Sequence, residues 1–277
     1  MTADVAGVGF ARVAAYVAVV RVSARQALIA RAEVVGRAAF YLLLLFIFSQ
    51  LWKTALAGVP VPGAGGRALG PVDLLWYMAA TEWALIAVPH VHLEIERDVR
   101  TGDVAYQLAR PISYVGLKLG EALGQLAVRL VVLGVVGLAG ARAFAGAWPA
   151  DPAGLLLVVP VGVAAGVLGV VFQAAIGVCA FWVQDVSPIY WIWQKLAFVL
   201  GGLLLPLELY PGWLRAVAEW TPFPALLARA GRCAIGGFDV AGAMASLGVA
   251  AAWLAVAVAL LAWLAQRGRR ALDVNGG

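Results

Sequence analysis

Charge is what this sequence has least of. Asp, Glu, Lys and Arg make up 13% of its 277 residues, about half the share a soluble domain carries. With 64% hydrophobic residues and a mean hydropathy of +0.92, it does not have the composition of an ordinary soluble domain. Cysteine is nearly absent. Cys179 and Cys233 fall in different segments without metal-ligand spacing and read as free thiols. None of the lysines (Lys53, Lys118, Lys195) follows a glycine, so the chain has no GxxxxGK[ST] phosphate cradle. Neither GxSxG nor HExxH occurs, and no nucleophile–base set is visible. His90 and His92 stand two apart, so on a helix they point to nearly opposite sides and chelate poorly. These absences predict no catalytic residue, no metal and no cofactor bound by this chain. No cleavable leader is expected either, because Arg12, Arg21 and Arg25 interrupt the first apolar stretch.

Long apolar blocks are what the sequence has instead. They run to roughly twenty residues, the length that crosses ~30 Å of hydrocarbon as a helix, and they lack the strict alternation of barrel strands. The class is an all-α polytopic membrane protein, a single membrane domain over 1–277 with six spans at 34–57, 71–93, 119–142, 153–182, 188–206 and 240–265. Residues 1–33 carry Arg21, Arg25 and Arg31 among Val and Ala, which fits a helix lying in the interface. A seventh span is the alternative, disfavoured by the cost of arginines at a helix centre. The positive charge of +5 sits at segment ends rather than in a nucleic-acid patch. With the N-terminus inside, thirteen Lys and Arg fall on the cytoplasmic side and six outside, with Arg129 within the membrane. That bias predicts cytoplasmic termini.

Glu94 to Pro111, EIERDVRTGDVAYQLARP, is the densest run of charge and lies within a predicted cytoplasmic segment, 94–118. Asp103 is placed to cap a short helix, Gly102 to turn the chain ahead of it, and Pro111 to end it. Val104 and Leu108 then share one face. The run reads either as a handle that another protein pushes or as a solvated loop. Leu207 to Asp239 is too apolar for a loop and too often broken by Pro211, Pro222 and Pro224 to span. Two half-helices dipping into the outer leaflet, turning at Pro222-Phe223-Pro224, would satisfy their backbone against protein. The alternative is a cap lying flat on the surface. Glu82 and Arg129 are the most central charges in their spans, at similar depth, and are predicted to pair. Gly116, Gly120 and Gly124 have the spacing of close helix packing.

In this order these features resemble the membrane subunit of a type-2 ATP-binding-cassette (ABC) exporter, of the compact bacterial kind. The residues that carry the resemblance are RTGDVAYQLARPIS at 100–113 and GGLLLPLELYPGWLRAVAEWTPFP at 201–224. The resemblance implies a coupling helix at Asp103 to Arg110 seated in a cleft of a separate ATPase subunit. Arg100, Asp103 and Arg110 would meet polar groups there, while Val104 and Leu108 pack. Gln184 to Pro188 would be a minor second contact. It also implies a second permease copy, identical or related, and an outer gate formed by the 207–239 hairpins. ATP and Mg would be bound by the partner ATPase, in the inner membrane of a bacterial cell. The implied cargo is an amphiphilic small molecule, drug or lipid. A rival reading is a secondary transporter driven by an ion gradient, with Glu82 as proton carrier.

Overall fold

A computed structural model describes residues 2–56, 61–63, 68–108 and 112–275. The elements in order are α1 (Thr2–Ile29), α2 (Arg31–Ala55), β1 (Val61–Pro62), β2 (Ala68–Leu69), α3 (Pro71–Ala87), α4 (Val91–Thr101), α5 (Asp103–Leu108), α6 (Tyr114–Ala145), α7 (Gly154–Val178), α8 (Ser187–Leu200), α9 (Gly212–Glu219), α10 (Phe223–Leu226), α11 (Ala228–Ala234) and α12 (Val240–Asn275). β1 and β2 make only a minimal antiparallel ribbon in the Pro- and Gly-rich link before α3.

Among the described residues, four helices are long and apolar enough to cross a bilayer: Arg31–Ala55, Tyr114–Ala145, Gly154–Phe181 and Val240–Gly268. The predicted second and fifth spans are shorter helices. α3 has 17 residues and α8 has 14; at 1.5 Å per residue these reach about 26 and 21 Å, short of ~30 Å of hydrocarbon. Each shortening has a local cause. Pro89 pushes Val88 into extended backbone, ψ 124°, so α3 stops at Ala87 instead of running to Leu93. After α8 the chain turns on Gly201 and Gly202, the latter at φ +67°, a left-handed conformation glycine adopts without strain.

α3 is the central post of the bundle. Nearly every residue from Asp73 to Ala87 is buried, because α2, α6, α7 and α11 all pack against it. Its polar side chains satisfy backbone that no helix serves. Tyr77 donates to the Gly202 carbonyl at 2.5 Å and Thr81 to the Leu203 carbonyl at 2.8 Å, the accounting that irregular chain at membrane depth requires. Trp83 fills space left by Gly134 and Gly162 and donates to the Leu130 carbonyl at 2.8 Å.

α6, at 32 residues, runs about 48 Å and outreaches the hydrocarbon. Its early glycine stripe is the seat of α1. A Cβ on Gly116 would lie 2.8 Å from the Tyr16 hydroxyl, one on Gly120 3.2 Å from Val19, and one on Gly124 would strike the Val20 carbonyl. Ser23 of α1 donates to the Glu121 carbonyl at 2.7 Å. Arg21, Arg25 and Arg31 are exposed; the side chains of Arg12, Arg269 and Arg270 lie outside the described residues.

Candidate functional site

At one end of the bundle, the described part of the charged stretch, up to Leu108, is two helices, α4 and α5, rather than a loop. α4 alternates Val91, Ile95 and Val99 with Glu94, Glu96, Asp98 and Arg97, an amphipathic spacing. Its apolar face lies on the end of α7. There the missing side chain of Gly177 admits the helix: a Cβ would stand 2.9 Å from the His92 Cα and 3.0 Å from Ile95. Gly102 ends α4 at φ +80° and lets α5 begin at once.

Two carboxylates of α4 are buried and bound. Asp98, 4% exposed, accepts from Lys118 at 2.9 Å, from the Tyr114 hydroxyl at 3.0 Å and from Gln107 at 3.3 Å. It therefore ties α4 to α5 and α6. Glu96, 7% exposed, accepts from the backbone N–H of Val186 at 3.2 Å and from Arg100 at 3.4 Å. It thereby caps the entrance to α8. Asp185, one residue earlier, accepts from the Ser187 N–H at 2.8 Å, and the Ser187 hydrogen bonds hold its carboxyl below the usual carboxylate range. His92 bonds Gln173 of α7 at 2.8 Å and stacks on Tyr190 of α8, ring centroids 3.8 Å apart. Through α4, then, the short α5 is linked by polar contacts to α6, α7 and α8. Sequence reasoning missed Asp98, Glu96, Lys118, Tyr114, His92 and Gln173. The only signal was an excess of acid on a helix otherwise apolar on one face.

The α5 residues fall differently from their sequence reading. Asp103 is the first residue of the helix, not its cap, and its carboxylate accepts from the Thr101 hydroxyl at 2.8 Å. A one-residue link leaves the cap position to Gly102. Val104 does not share an outward face for a partner. It is 3% exposed and part of the protein's own core, because α5 folds back against α4 and α6. Asp103, Ala105 and Tyr106 are exposed, Tyr106 at 70%. The side chain of Leu108, and Arg110 and Pro111 altogether, lie outside the described residues.

Glu82 and Arg129 are not brought together. Arg129 donates to Glu33 of α2 at 2.6 Å and to Gln125, one turn back, at 3.0 Å. Glu33 also takes Arg37 at 3.1 Å, and Arg37 reaches the Ile86 carbonyl at 3.1 Å and His90 at 3.2 Å. Glu82 is 5% exposed and has no ion pair among the described residues. Arg129 is instead drawn to the start of α2, in the cleft lined by Glu33, Arg37 and His90. One nitrogen of Arg129, Nη1, is buried without a hydrogen-bond partner among the described residues, a state that costs about 1–3 kcal/mol or more for a charged group.

The broken apolar segment lies toward the other end of the bundle, where Gly236 packs on Asp151 at the start of α7. Pro211 precedes α9, and Pro222, Phe223 and Pro224 form the turn into α10. Phe223, Pro224 and most of α11 are buried against α3, α7 and α8. The exposed Trp213 and Trp220, 70% and 86%, are on α9 and its end. Within this segment Glu208 and Arg232 approach to 2.7 Å. No group of three or more His, Cys, Asp or Glu able to hold a metal occurs among the described residues.

No curated protein matches the chain. A family model described as an ABC-2 family transporter protein matches residues 75–276, from within α3 to the end of α12. A helical bundle with four helices of crossing length among the described residues, and that match over most of the chain, agree: the chain belongs to the ABC-2 family transporter proteins and is a multi-pass membrane component of transport.

Proposed function

We propose that this chain is the membrane-spanning subunit of an ATP-driven exporter, worked by a separate ATPase through α4 and α5. The observation that carries this reading is the buried Asp98, which joins the exposed α5 to Lys118 and Tyr114 of the long α6. A push on α5 cannot be absorbed locally, since α4 is also bonded to Gln173 of α7 and to the start of α8. Arg100 and Tyr106 are exposed on this protrusion and form the contact surface, in place of the inward Val104. ATP and Mg belong to the partner, since this chain carries no phosphate cradle.

On this reading α3 and α8 are the second and fifth of six crossings, and the buried α10–α11 hairpin fills the depth beyond the end of α8. The termini and α4–α5 face the cytoplasm. A second permease copy completes the path, with Pro211, Pro222, Phe223 and Pro224 in its outer gate. The apolar, aromatic-rich helices suit an amphiphilic small molecule, drug or lipid as cargo. The buried Glu82 favours one rival, an ion-gradient transporter with that carboxyl as proton carrier.

The test is transport by the assembled complex in vesicles. Tyr106→Asp alters an exposed side chain and is expected to lower ATP-dependent transport at least tenfold while the subunit still folds. Unchanged transport removes the coupling assignment. Transport that needs no ATPase and collapses with an uncoupler establishes the rival.

A further inference from the structure

We propose that the cleft between α1, α2, α4 and α6 binds the phosphate group of an anionic membrane lipid. The cleft is about 340 Å³, an order of magnitude above the ~30 Å³ of one water. It lies where the chain bends at Ala30 into α2, a helix of spanning length, and where the α3–α4 break brings His90 and Glu94 alongside. That is the end of the hydrocarbon crossing, the depth at which a lipid carries its headgroup.

Its charged lining consists of Glu33, Arg37, Glu94 and Arg129, with His90 beside Arg37. Two guanidinium groups converge on a single oxygen, Oε1 of Glu33, from 2.6 and 3.1 Å. Glu94 lines the same cleft without a hydrogen bond to either arginine among the described residues; its carboxylate takes the Gln125 amide at 3.5 Å. His90 already faces Arg37. The charges of the lining balance, two arginines against two glutamates, and the surplus donor is specific: Arg129, 5% exposed, leaves Nη1 buried and unbonded among the described residues. A cation would add to that surplus. A phosphate, with several acceptor oxygens in one group, answers it, and guanidinium forks bind phosphate with two bonds at once. Glu33 is half exposed, 49% for its side chain, so it can swing out and yield its place between the arginines. It acts as a resident stand-in for the ligand.

The test uses the purified full-length chain, stripped of lipid in detergent, with phosphatidylglycerol or inorganic phosphate added and binding read by native mass spectrometry and thermal shift. One phosphatidylglycerol retained per chain is expected. Its affinity falls at least tenfold in Arg129→Gln and in the more exposed Arg37→Gln, which guards against a folding defect in the first. It rises severalfold in Glu33→Gln, an increase that misfolding cannot produce. Inorganic phosphate that displaces the lipid and stabilises the protein equally well overturns the lipid source and leaves a free-anion site. Lipid retained equally by all three variants, or by none including the unaltered chain, overturns the site itself.

Discussion

Asp98 is a carboxylate that ought to be in water and is not. At 5% side-chain exposure, against 8% for Lys118, the pair is held by geometry and by the extra donors Tyr114 and Gln107. Breaking such a pair from one side strands a buried charge and costs about 3–5 kcal/mol. Asp98→Asn and Lys118→Met are each expected to destabilise by that order in denaturant unfolding, Asp98→Asn the more, because it also weakens the acceptor for Tyr114. Together they are expected to cost less than their sum, since neither leaves the other unpaired. A strictly additive pair would show the contact to be incidental. The same logic separates Glu82 from Arg129, which share no partner. Glu82→Gln and Arg129→Gln are expected to add within about 0.5 kcal/mol, whereas Glu33→Gln with Arg129→Gln couples by about 0.5–3 kcal/mol. Coupling in the first pair and additivity in the second would reverse the assignment. Residue identity announced that Arg129 needed a partner. It could not say which, because Glu33 lies on a helix distant in sequence and its approach depends on how α2 crosses α6.

Helices show where punctuation was legible. Gly102 reads as a turn from sequence and is one, at φ +80°, because only glycine takes that conformation freely. The glycine stripe of Gly116, Gly120 and Gly124 read only as general bundle packing, whereas its occupant is α1. The burial of α3 was not legible either. Its composition suits a lipid-facing span equally well, and the lipid and the core are alike in polarity. What distinguishes it are Tyr77 and Thr81, whose hydroxyls serve the carbonyls freed where α8 ends. Tyr77→Phe with Thr81→Val removes both donors. Each orphaned carbonyl costs about 1–3 kcal/mol, so the double variant is expected to melt well below the unaltered protein. Unchanged melting would mean that the broken segment finds its donors elsewhere.

Taken whole, the protein has two unlike ends, a charged one built on α4 and α5 and an apolar one capped by α9 to α11. If the former faces the cytoplasm, as proposed, Asp185→Cys is expected to react with a membrane-impermeant maleimide only after the cell is opened. Trp148→Cys, at the opposite end beside the stacked Trp76, is expected to react in intact cells. The reverse pattern would invert the topology, and equal labelling would refute a crossing between them.

Sequence alone determined the membrane class, the long crossing helices, the short helix after Gly102 and the broken segment before α12, because these follow from chain length, hydropathy and residues that forbid or permit particular backbone angles. Tertiary structure alone decided that α3 is interior, that Val104 turns inward, that Arg129 finds Glu33 rather than Glu82, and that α4 is tied to three neighbours. Those outcomes depend on which helix faces meet, and facing is set by packing between segments far apart in the chain. A one-dimensional pattern reports the apolar face of a helix but not what lies against it.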